Sequence, residues 1–358
     1  MRVGIDAKRA YQNKSGLGNY SRDVISSLIK EEEIDIHLFT SEWGKEIFRI
    51  PEKIKLHTPK IKFLKNYWRL YGIKKIIENE NIEIFHGLSN EIPIGINKNV
   101  KCVVTIHDLI FKKYPSFYNR IDRFIYSKKT KYACQRAQKI ISVSEQTKKD
   151  LINYFNINPE KIEVIYQSCH KAFKSKLKNE NILKKHQIPN DFILYVGTIE
   201  KRKNLNFILK AIRKNPEINL VCIGEKKSYY NDVLNFITEH KIKNNINFLK
   251  LNSVNDLSDI YKKAKCLVYP SIYEGFGIPI IEALYSEIPV ITTDKPVFKE
   301  AGGDYCIYIN KIEEFKKEIV KIWGRKKTPN TSARKWAEKF NSSKQAKQII
   351  NLYQNLLK

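Results

Sequence analysis

The segment Pro270-Ser271-Ile272-Tyr273-Glu274-Gly275-Phe276-Gly277-Ile278-Pro279-Ile280-Ile281-Glu282-Ala283-Leu284 combines two carboxylates, two glycines and a proline just after a strand-like run, Cys266–Tyr269. Gly275 and Gly277 allow a tight turn and close approach of a ligand to the backbone. Pro279 suits the first turn of a helix, where free N–H groups and the helix dipole attract an anion. Glu274 falls in the mouth of the loop and Glu282 about one turn inside the helix. Carboxylates beside an anion site do not bind phosphate; they accept hydrogen bonds from hydroxyls such as those of a sugar or a ribose. A capped helix with acidic residues near its positive end is the plainer reading, but the coincidence of glycines, Pro279 and both carboxylates favours a ligand.

Three further segments carry groups of this kind. Leu194-Tyr195-Val196-Gly197-Thr198-Ile199-Glu200-Lys201-Arg202-Lys203-Asn204 places a cationic cluster between a strand and a helix. Arg202 offers a planar fork and Lys203 a point charge, and the pair could hold a diphosphate. Ser15-Gly16-Leu17-Gly18-Asn19-Tyr20-Ser21-Arg22 leads into a helix. As a dinucleotide fingerprint it lacks the third glycine and a following acidic residue. A turn whose backbone, at Gly16 and Gly18, faces an anion and a loop with two convenient glycines fit it equally. In Val103-Val104-Thr105-Ile106-His107-Asp108-Leu109, His107 closes a strand and is a candidate to face a ligand. His86, which closes the preceding strand, reads as structural.

These residues need a scaffold that sets strand ends beside helix starts. The first half shows short, Val/Ile-rich, nearly continuous apolar runs at Arg2–Asp6, Ile34–Thr40, Ile82–His86, Cys102–His107, Ile140–Ser144 and Glu163–Tyr166. Strands buried on both faces of a parallel sheet look like this. The second half restarts the pattern at Phe192–Val196, Asn219–Ile223, Ile246–Leu249, Cys266–Tyr269, Val290–Thr292 and Cys306–Tyr308. Amphipathic stretches lie between them, among them Gly18–Ile29, Ser144–Tyr154 with Ser144 as N-cap, Asn204–Ile212 and Asp256–Tyr261. Such alternation predicts two α/β domains of Rossmann type with parallel sheets, residues 1–170 and 171–340, their strand ends facing across a cleft, and a terminal helix over 341–358.

Composition narrows the classes. The chain has 358 residues, 42% hydrophobic, and a formal net charge of +27. The length fits two domains, and the apolar content argues against long disorder. The charge implies an anionic partner: nucleic acid, an acidic membrane or a phosphorylated ligand. Basic residues are spread through both halves, with no helix-turn-helix or RNA-binding aromatic signature, so nucleic acid is not expected. No apolar run reaches the ~20 residues of a membrane-spanning helix, and the N-terminus shows no signal-peptide core. Six scattered cysteines without a C-x-x-C pair predict reduced thiols, and no His, Cys or carboxylate spacing suggests a metal ligand set. Lys60–Lys75 and Phe111–Lys131 mix Lys and Arg with Trp, Tyr and Phe; they suit either an anionic bilayer surface or a solvated helix face.

The ordered set of motifs resembles the retaining glycosyltransferases of family 4, which have the GT-B fold. The family's E-x7-E signature matches Glu274 and Glu282. Y-V-G-T-I-E-K-R-K-N at Tyr195–Asn204, T-I-H-D-L at Thr105–Leu109, I-S-V-S-E-Q-T-K-K-D-L at Ile141–Leu151, P-E-K-I-E-V-I-Y at Pro159–Tyr166 and the Gly16/Gly18 loop complete it. The resemblance implies an acceptor-binding first domain, a nucleotide-sugar-binding second domain and a terminal helix that returns to the first. It also implies roles: Glu274 on hydroxyls of the donor sugar, Glu282 on the ribose, Arg202 and Lys203 on the departing diphosphate. The backbone of Phe276, Gly277 and Ile278 would touch sugar or phosphate oxygens, Gly18 would approach the diphosphate, and His107 would contact the transferred sugar. Thr198 stands where many members carry Arg after the glycine, a charge that Arg202 can supply.

The expected reaction is therefore hexosyl transfer with retention, from GDP-mannose or a UDP-sugar to a hydroxyl of a glycan or polyprenyl-linked acceptor, in polysaccharide or lipopolysaccharide synthesis. No cofactor and no metal are expected, since no D-x-D motif stands in the usual place. The expected location is the cytoplasm, peripheral at the inner face of the membrane. The alternatives are a basic nucleic-acid- or membrane-binding protein, or another GT-B enzyme such as a phosphorylase or epimerase.

Overall fold

Short β-branched runs flanked by turn residues become strands here because each is buried from both sides. β1 (Arg2–Asp6), β4 (Ile84–Gly87), β8 (Ile193–Val196), β9 (Leu220–Ile223) and β11 (Cys266–Tyr269) are buried along all or nearly all of their length. The structure, a computed structural model, describes residues 1–41, 47–59 and 67–358. By their internal contacts the described residues form two units, Met1–Ser168 with Phe340–Lys358, and Cys169–Lys339.

The first unit holds a fully parallel seven-stranded sheet, completed by β2 (Asp35–Phe39), β3 (Lys55–His57), β5 (Lys101–Ile106), β6 (Lys139–Ser142) and β7 (Ile162–Val164), in the order β3-β2-β1-β4-β5-β6-β7. Strand β3 was not anticipated. It is an edge strand of three residues, Lys-Leu-His, too short and polar to stand out as an apolar run. The helix Ser342–Leu357 packs in this unit: Ile349, Ile350, Leu352 and Tyr353 share its core with Val24 and Leu28. Its register is fixed by a buried polar contact, Tyr353 hydroxyl to His86 Nδ1 at 2.5 Å, while His86 Nε2 meets the Thr105 hydroxyl at 2.9 Å.

The second unit holds a parallel six-stranded sheet, with β10 (Ile246–Leu249), β12 (Val290–Thr292) and β13 (Ile307–Tyr308), in the order β10-β9-β8-β11-β12-β13. In both sheets the chain winds one way from the first strand, then crosses and winds the other way. The reversal falls between β1 and β4 in one unit and between β8 and β11 in the other. Loops leaving the carboxyl ends of such a pair splay apart and leave a crevice, the usual ligand site of open α/β sheets. Every strand expected from the sequence forms, most ends within one or two residues. The helix cap at Ser144 forms too, its Oγ accepting from the Thr147 N–H at 3.0 Å.

Candidate functional site

The crevice of the second unit is lined by the loops after β8 and β11. Gly197, which ends β8, has φ 149°, and a side chain there would press on the aliphatic part of Lys203, 3.4 Å away. Gly224, which ends β9, backs this turn: a Cβ there would stand 1.9 Å from the Gly197 carbonyl. Two glycines thus let β8 and β9 close tightly under the cationic turn Lys201–Lys203. Asn204, in the left-handed conformation at φ 58°, turns the chain into the helix Leu205–Ile212.

This turn is bound to the loop after β11. The Ile272 N–H donates to the Arg202 carbonyl at 2.9 Å, and Arg202 Nη1 donates to the Tyr273 carbonyl at 2.7 Å. Between them lies Glu274, with Oε2 2.6 Å from Arg202 Nη1 and Oε1 2.6 Å from Lys203 Nζ. Burial alone would raise the Glu274 carboxyl; Lys203 and Arg202 outweigh it and bring the group down to about 2. Lys203 Nζ also donates to the Tyr269 hydroxyl at 3.1 Å and lies over that ring. Arg202 Nη2 reaches the more exposed Glu200 at 2.5 Å. Groups expected to act on different parts of a ligand, Glu274 on hydroxyls and Arg202 and Lys203 on phosphate, are joined here in a single ion cluster.

Gly277 (φ 155°) ends the loop, and the helix Ile278–Tyr285 starts directly after it with Pro279 in its first turn. A Cβ at Gly277 would meet Ala301 and Ile280 at 3.3 Å. Phe276 is buried beneath the turn. The first N–H groups of a helix have no intrahelical acceptor and so face outward as donors. Glu282 lies a turn further in, nearly buried, its Oε2 accepting from the Tyr261 hydroxyl at 2.8 Å.

In the first unit the glycine segment differs from what spacing suggested. Gly16 and Gly18 are not in a loop; the helix runs Gly16–Leu28 with Ser15 as its cap, two residues earlier than expected, so both glycines occupy its first turn. Gly18 is required by packing: a Cβ there would stand 1.7 Å from the Asn13 carbonyl. At Gly16 nothing lies within 4 Å. His107 is buried, with Nε2 2.9 Å from the Leu88 carbonyl and Nδ1 3.1 Å from the Gln167 amide. A carbonyl only accepts, so Nε2 carries the proton and Nδ1 takes one from Gln167. Tyr20 packs edge-on against the ring, and burial lowers its pKa to about 4, so the imidazole is neutral near pH 7. His107 directly follows β5, at the strand end where the sequence put it, and its ring is engaged on both nitrogens.

Comparison with known proteins places each unit. Residues 14–168 match the glycosyltransferase family 4 model and residues 178–339 the model of glycosyl transferases group 1. The chain belongs to the family 4 glycosyltransferases, of GT-B fold. The chain is 27% identical over 325 residues to the O-antigen chain mannosyltransferase RfbU of Salmonella typhimurium, covering 87% of each. Among solved structures, sucrose-phosphate synthase from Thermosynechococcus elongatus superposes over 100% of this chain and 99% of that one, with TM-score 0.78 and 16% identity. Anabaena HepE in complex with UDP-glucose superposes over 99% of this chain and 100% of that one, with TM-score 0.73 and 15% identity.

Several residues that shape this glycosyltransferase escaped the sequence reading. Gly224, Tyr261 and Tyr269 support the candidate site; they were read only as ends or neighbours of strands and helices, with no sign that they meet it. At the β1–β4 reversal, Arg69 of the helix Trp68–Gly72 is buried with Nη2 2.6 Å from Asp6 Oδ2 and Nη1 against Glu91, which also takes Lys129 at 3.4 Å. Finally, where no metal-ligand spacing was expected, His37, His57 and Glu80 bring one ligand atom each within 4.8 Å of the others. Residues so far apart in sequence meet only because β2, β3 and the helix Ile73–Asn79 are neighbours. The segment 60–66 of the expected bilayer-binding stretch lies outside the described residues. Among the described residues no helix is long and apolar enough to cross a membrane.

Proposed function

We propose that this glycosyltransferase moves a hexosyl group, with retention and without a metal ion, from a nucleotide-sugar to a hydroxyl of a glycan or polyprenyl-linked acceptor in cell-surface polysaccharide or O-antigen synthesis. The observation that carries the reading is the pair Arg202 and Lys203 at the carboxyl end of β8, tied to the glycine-led helix start after β11. Fixed cations and outward N–H groups stabilise the charge that grows on a departing diphosphate without reorganising. The RfbU relative is named a mannosyltransferase and HepE was solved with UDP-glucose, so GDP-mannose and UDP-glucose are the first donors to test.

In this reading Arg202, Lys203 and the Gly16–Gly18 helix start hold the diphosphate, Glu282 the ribose, and the backbone of Phe276, Gly277 and Ile278 the sugar or phosphate oxygens. Glu274 turns from its cations to the donor hydroxyls as the diphosphate takes its place. His107, a neutral imidazole, contacts the sugar and transfers no proton. The acceptor oxygen attacks the anomeric carbon on the face that the diphosphate leaves. The C1–O bond breaks with its electron pair going to the diphosphate oxygen, which takes the acceptor proton. The test is thermal stabilisation by a nucleotide-sugar panel, then NMR of the product anomer with and without EDTA. An inverted anomer, a trapped glycosyl-enzyme or loss of turnover in EDTA with the fold intact would refute it.

The same reading puts the enzyme at an anionic membrane face. The helix Arg120–Arg136 exposes Ile121 (73%) and Phe124 (63%) beside Arg120, Lys128 and Lys131, with Lys128 over the Phe124 ring. Apolar anchors ringed by cations suit an acidic bilayer. Salt-sensitive retention on anionic vesicles is expected, and equal retention on neutral ones would overturn it.

A further inference from the structure

Alternation along β2 puts Asp35, His37 and Phe39 on one face of the sheet, and the parallel register His37↔Lys55, Phe39↔His57 puts Lys55 and His57 of β3 beside them. The helix Ile73–Asn79 covers this face through Ile73 and Ile77, which pack with Phe39, and it ends at Glu80. Three elements thus deliver two imidazoles and two carboxylates to one spot. His37 Nδ1 lies 3.1 Å from His57 Nε2 and 3.6 Å from Glu80 Oε2, and its Nε2 lies 3.5 Å from Asp35 Oδ2.

The spacings of His57 Nε2 and Glu80 Oε2 from His37 Nδ1 suit a cation, and all three ligand atoms lie within 4.8 Å of one another. Four-coordinate zinc, with Zn–N bonds of about 2.0–2.1 Å, sets neighbouring ligand atoms roughly 3.3 Å apart. An imidazole that binds metal through one nitrogen commonly donates its other N–H to a carboxylate, which is how Asp35 stands to His37. Glu80 is also placed where charge is unfavourable. It caps the C-terminal end of a helix, the negative end of its dipole, so its carboxylate calls for a positive neighbour. Lys55 answers at present, with Nζ 2.9 Å from Glu80 Oε2. His57 and Lys55 are partly exposed, so an ion can reach the group and the lysine can swing away.

We propose that His37 Nδ1, His57 Nε2 and Glu80 form a zinc site, with Asp35 orienting His37 and water in the fourth position. Loading moves the proton now shared between the two rings to His57 Nδ1, turns the His57 ring so that both lone pairs meet the ion, and releases Lys55 from Glu80. The ion would tie the edge strand β3 to β2 and to the end of the helix. The cluster lies on the helix-covered face at the β3 edge of the sheet, two strands from the β1–β4 reversal, and Arg2, the first residue of β1, reaches the Glu80 carbonyl. The site therefore serves architecture and not the transfer step.

The experiment is a titration of EDTA-stripped, full-length protein with zinc by calorimetry, and with cobalt(II) by visible absorption. Wild type is expected to bind one equivalent that gives the intense d–d bands of a four-coordinate ion and raises the melting temperature. His57→Ala and Glu80→Gln, at partly exposed positions, should each lose that equivalent while keeping the circular dichroism of the wild type. Lys55→Ala, which removes the resident cation, should bind zinc about tenfold tighter. Should either ligand variant unfold, the Lys55→Ala affinity alone decides. Zinc retained equally by wild type and His57→Ala, or weakened by Lys55→Ala, would overturn the site and show the cluster to be a hydrogen-bonded histidine pair only.

Discussion

The two sheets share a winding scheme, and each carries a buried ion triad at its reversal, but the triads have opposite sign. In the second unit one carboxylate, Glu274, sits between two cations, Arg202 and Lys203, leaving a surplus of one positive charge. In the first unit one cation, Arg69, sits between Asp6 and Glu91, leaving a surplus of one negative charge. Each surplus is met by a more exposed partner, Glu200 in one case and Lys129 in the other. Such outer pairs are screened and worth little. The same topology therefore carries a cation-rich triad in one unit and a carboxylate-rich triad in the other. In the proposed reading the donor diphosphate goes to the cation-rich triad of the second unit, so charge at the strand ends, not sheet topology, makes the choice.

The comparison breaks most visibly by removing one cation from each triad. Lys203→Ala should lower kcat/KM by about 10²–10³-fold, the usual effect of losing one fixed electrostatic donor, and weaken binding of free nucleoside diphosphate. Arg69→Ala leaves two buried carboxylates facing each other and should cost about 3–5 kcal/mol of stability. It should leave diphosphate affinity within twofold when calorimetry is run cold enough to keep the variant folded. Equal loss of affinity in both variants would mean that the sign of the surplus does not matter.

Acid should separate the units next. Burial, with His107 beside it, lowers His86 to about 3, and burial lowers His107 to about 4. The folded state thus prefers both neutral. Their contribution is complete above the unfolded value of 6.5 and is lost as the pH falls toward those folded values. Glu274, depressed to about 2 from 4.5, contributes fully above 4.5 and loses its share only as the pH falls toward 2. Each group is worth about 3–5 kcal/mol over its full range. At pH 5 the first unit should already be weakened by about 2 kcal/mol per histidine, with the Glu274 cluster intact. Peptide-resolved hydrogen exchange between pH 7 and 4 reads this directly, and earlier opening of the second unit would contradict it.

Glu274→Gln sharpens the charge argument by raising the surplus of its triad from one to two. Free nucleoside diphosphate should then bind about tenfold tighter, a gain of about 1.4 kcal/mol, while sugar transfer falls. Weaker diphosphate binding would show that Glu274 orders the cations more than it opposes the anion.

How far these features were legible in the sequence follows from how local they are. Strands such as Val290–Thr292 and Cys266–Tyr269 were read to the residue because burial on both faces demands short, mostly apolar runs. The segments around Glu274 and Arg202 were legible as strand-end loops, since glycine, proline and charge cluster within each. Their mutual pairing was not, because an ion pair across 72 positions leaves no spacing signal. The Arg69 triad and the His37–His57–Glu80 group were hidden for the same reason. His107 was legible as a strand end, but the Leu88 carbonyl and Gln167 that engage its ring come from other loops and left no local signal.

The smallest expected effect separates two glycines that look alike in sequence. Gly18 has no room for a side chain, so Gly18→Ala should displace the Asn13 carbonyl and lower stability. Gly16 sits in the same first turn with open space around its Cα. Alanine is the better helix former, so Gly16→Ala should stabilise the first unit by about 0.5–1 kcal/mol. A thermal shift measures that gain. Activity decides what the open space is for: if a diphosphate comes against this helix start, a methyl group obstructs it, and turnover should fall as the melting temperature rises. Unchanged turnover in a stabilised Gly16→Ala would instead leave Arg202, Lys203 and the Gly277 helix start as the whole of the diphosphate site.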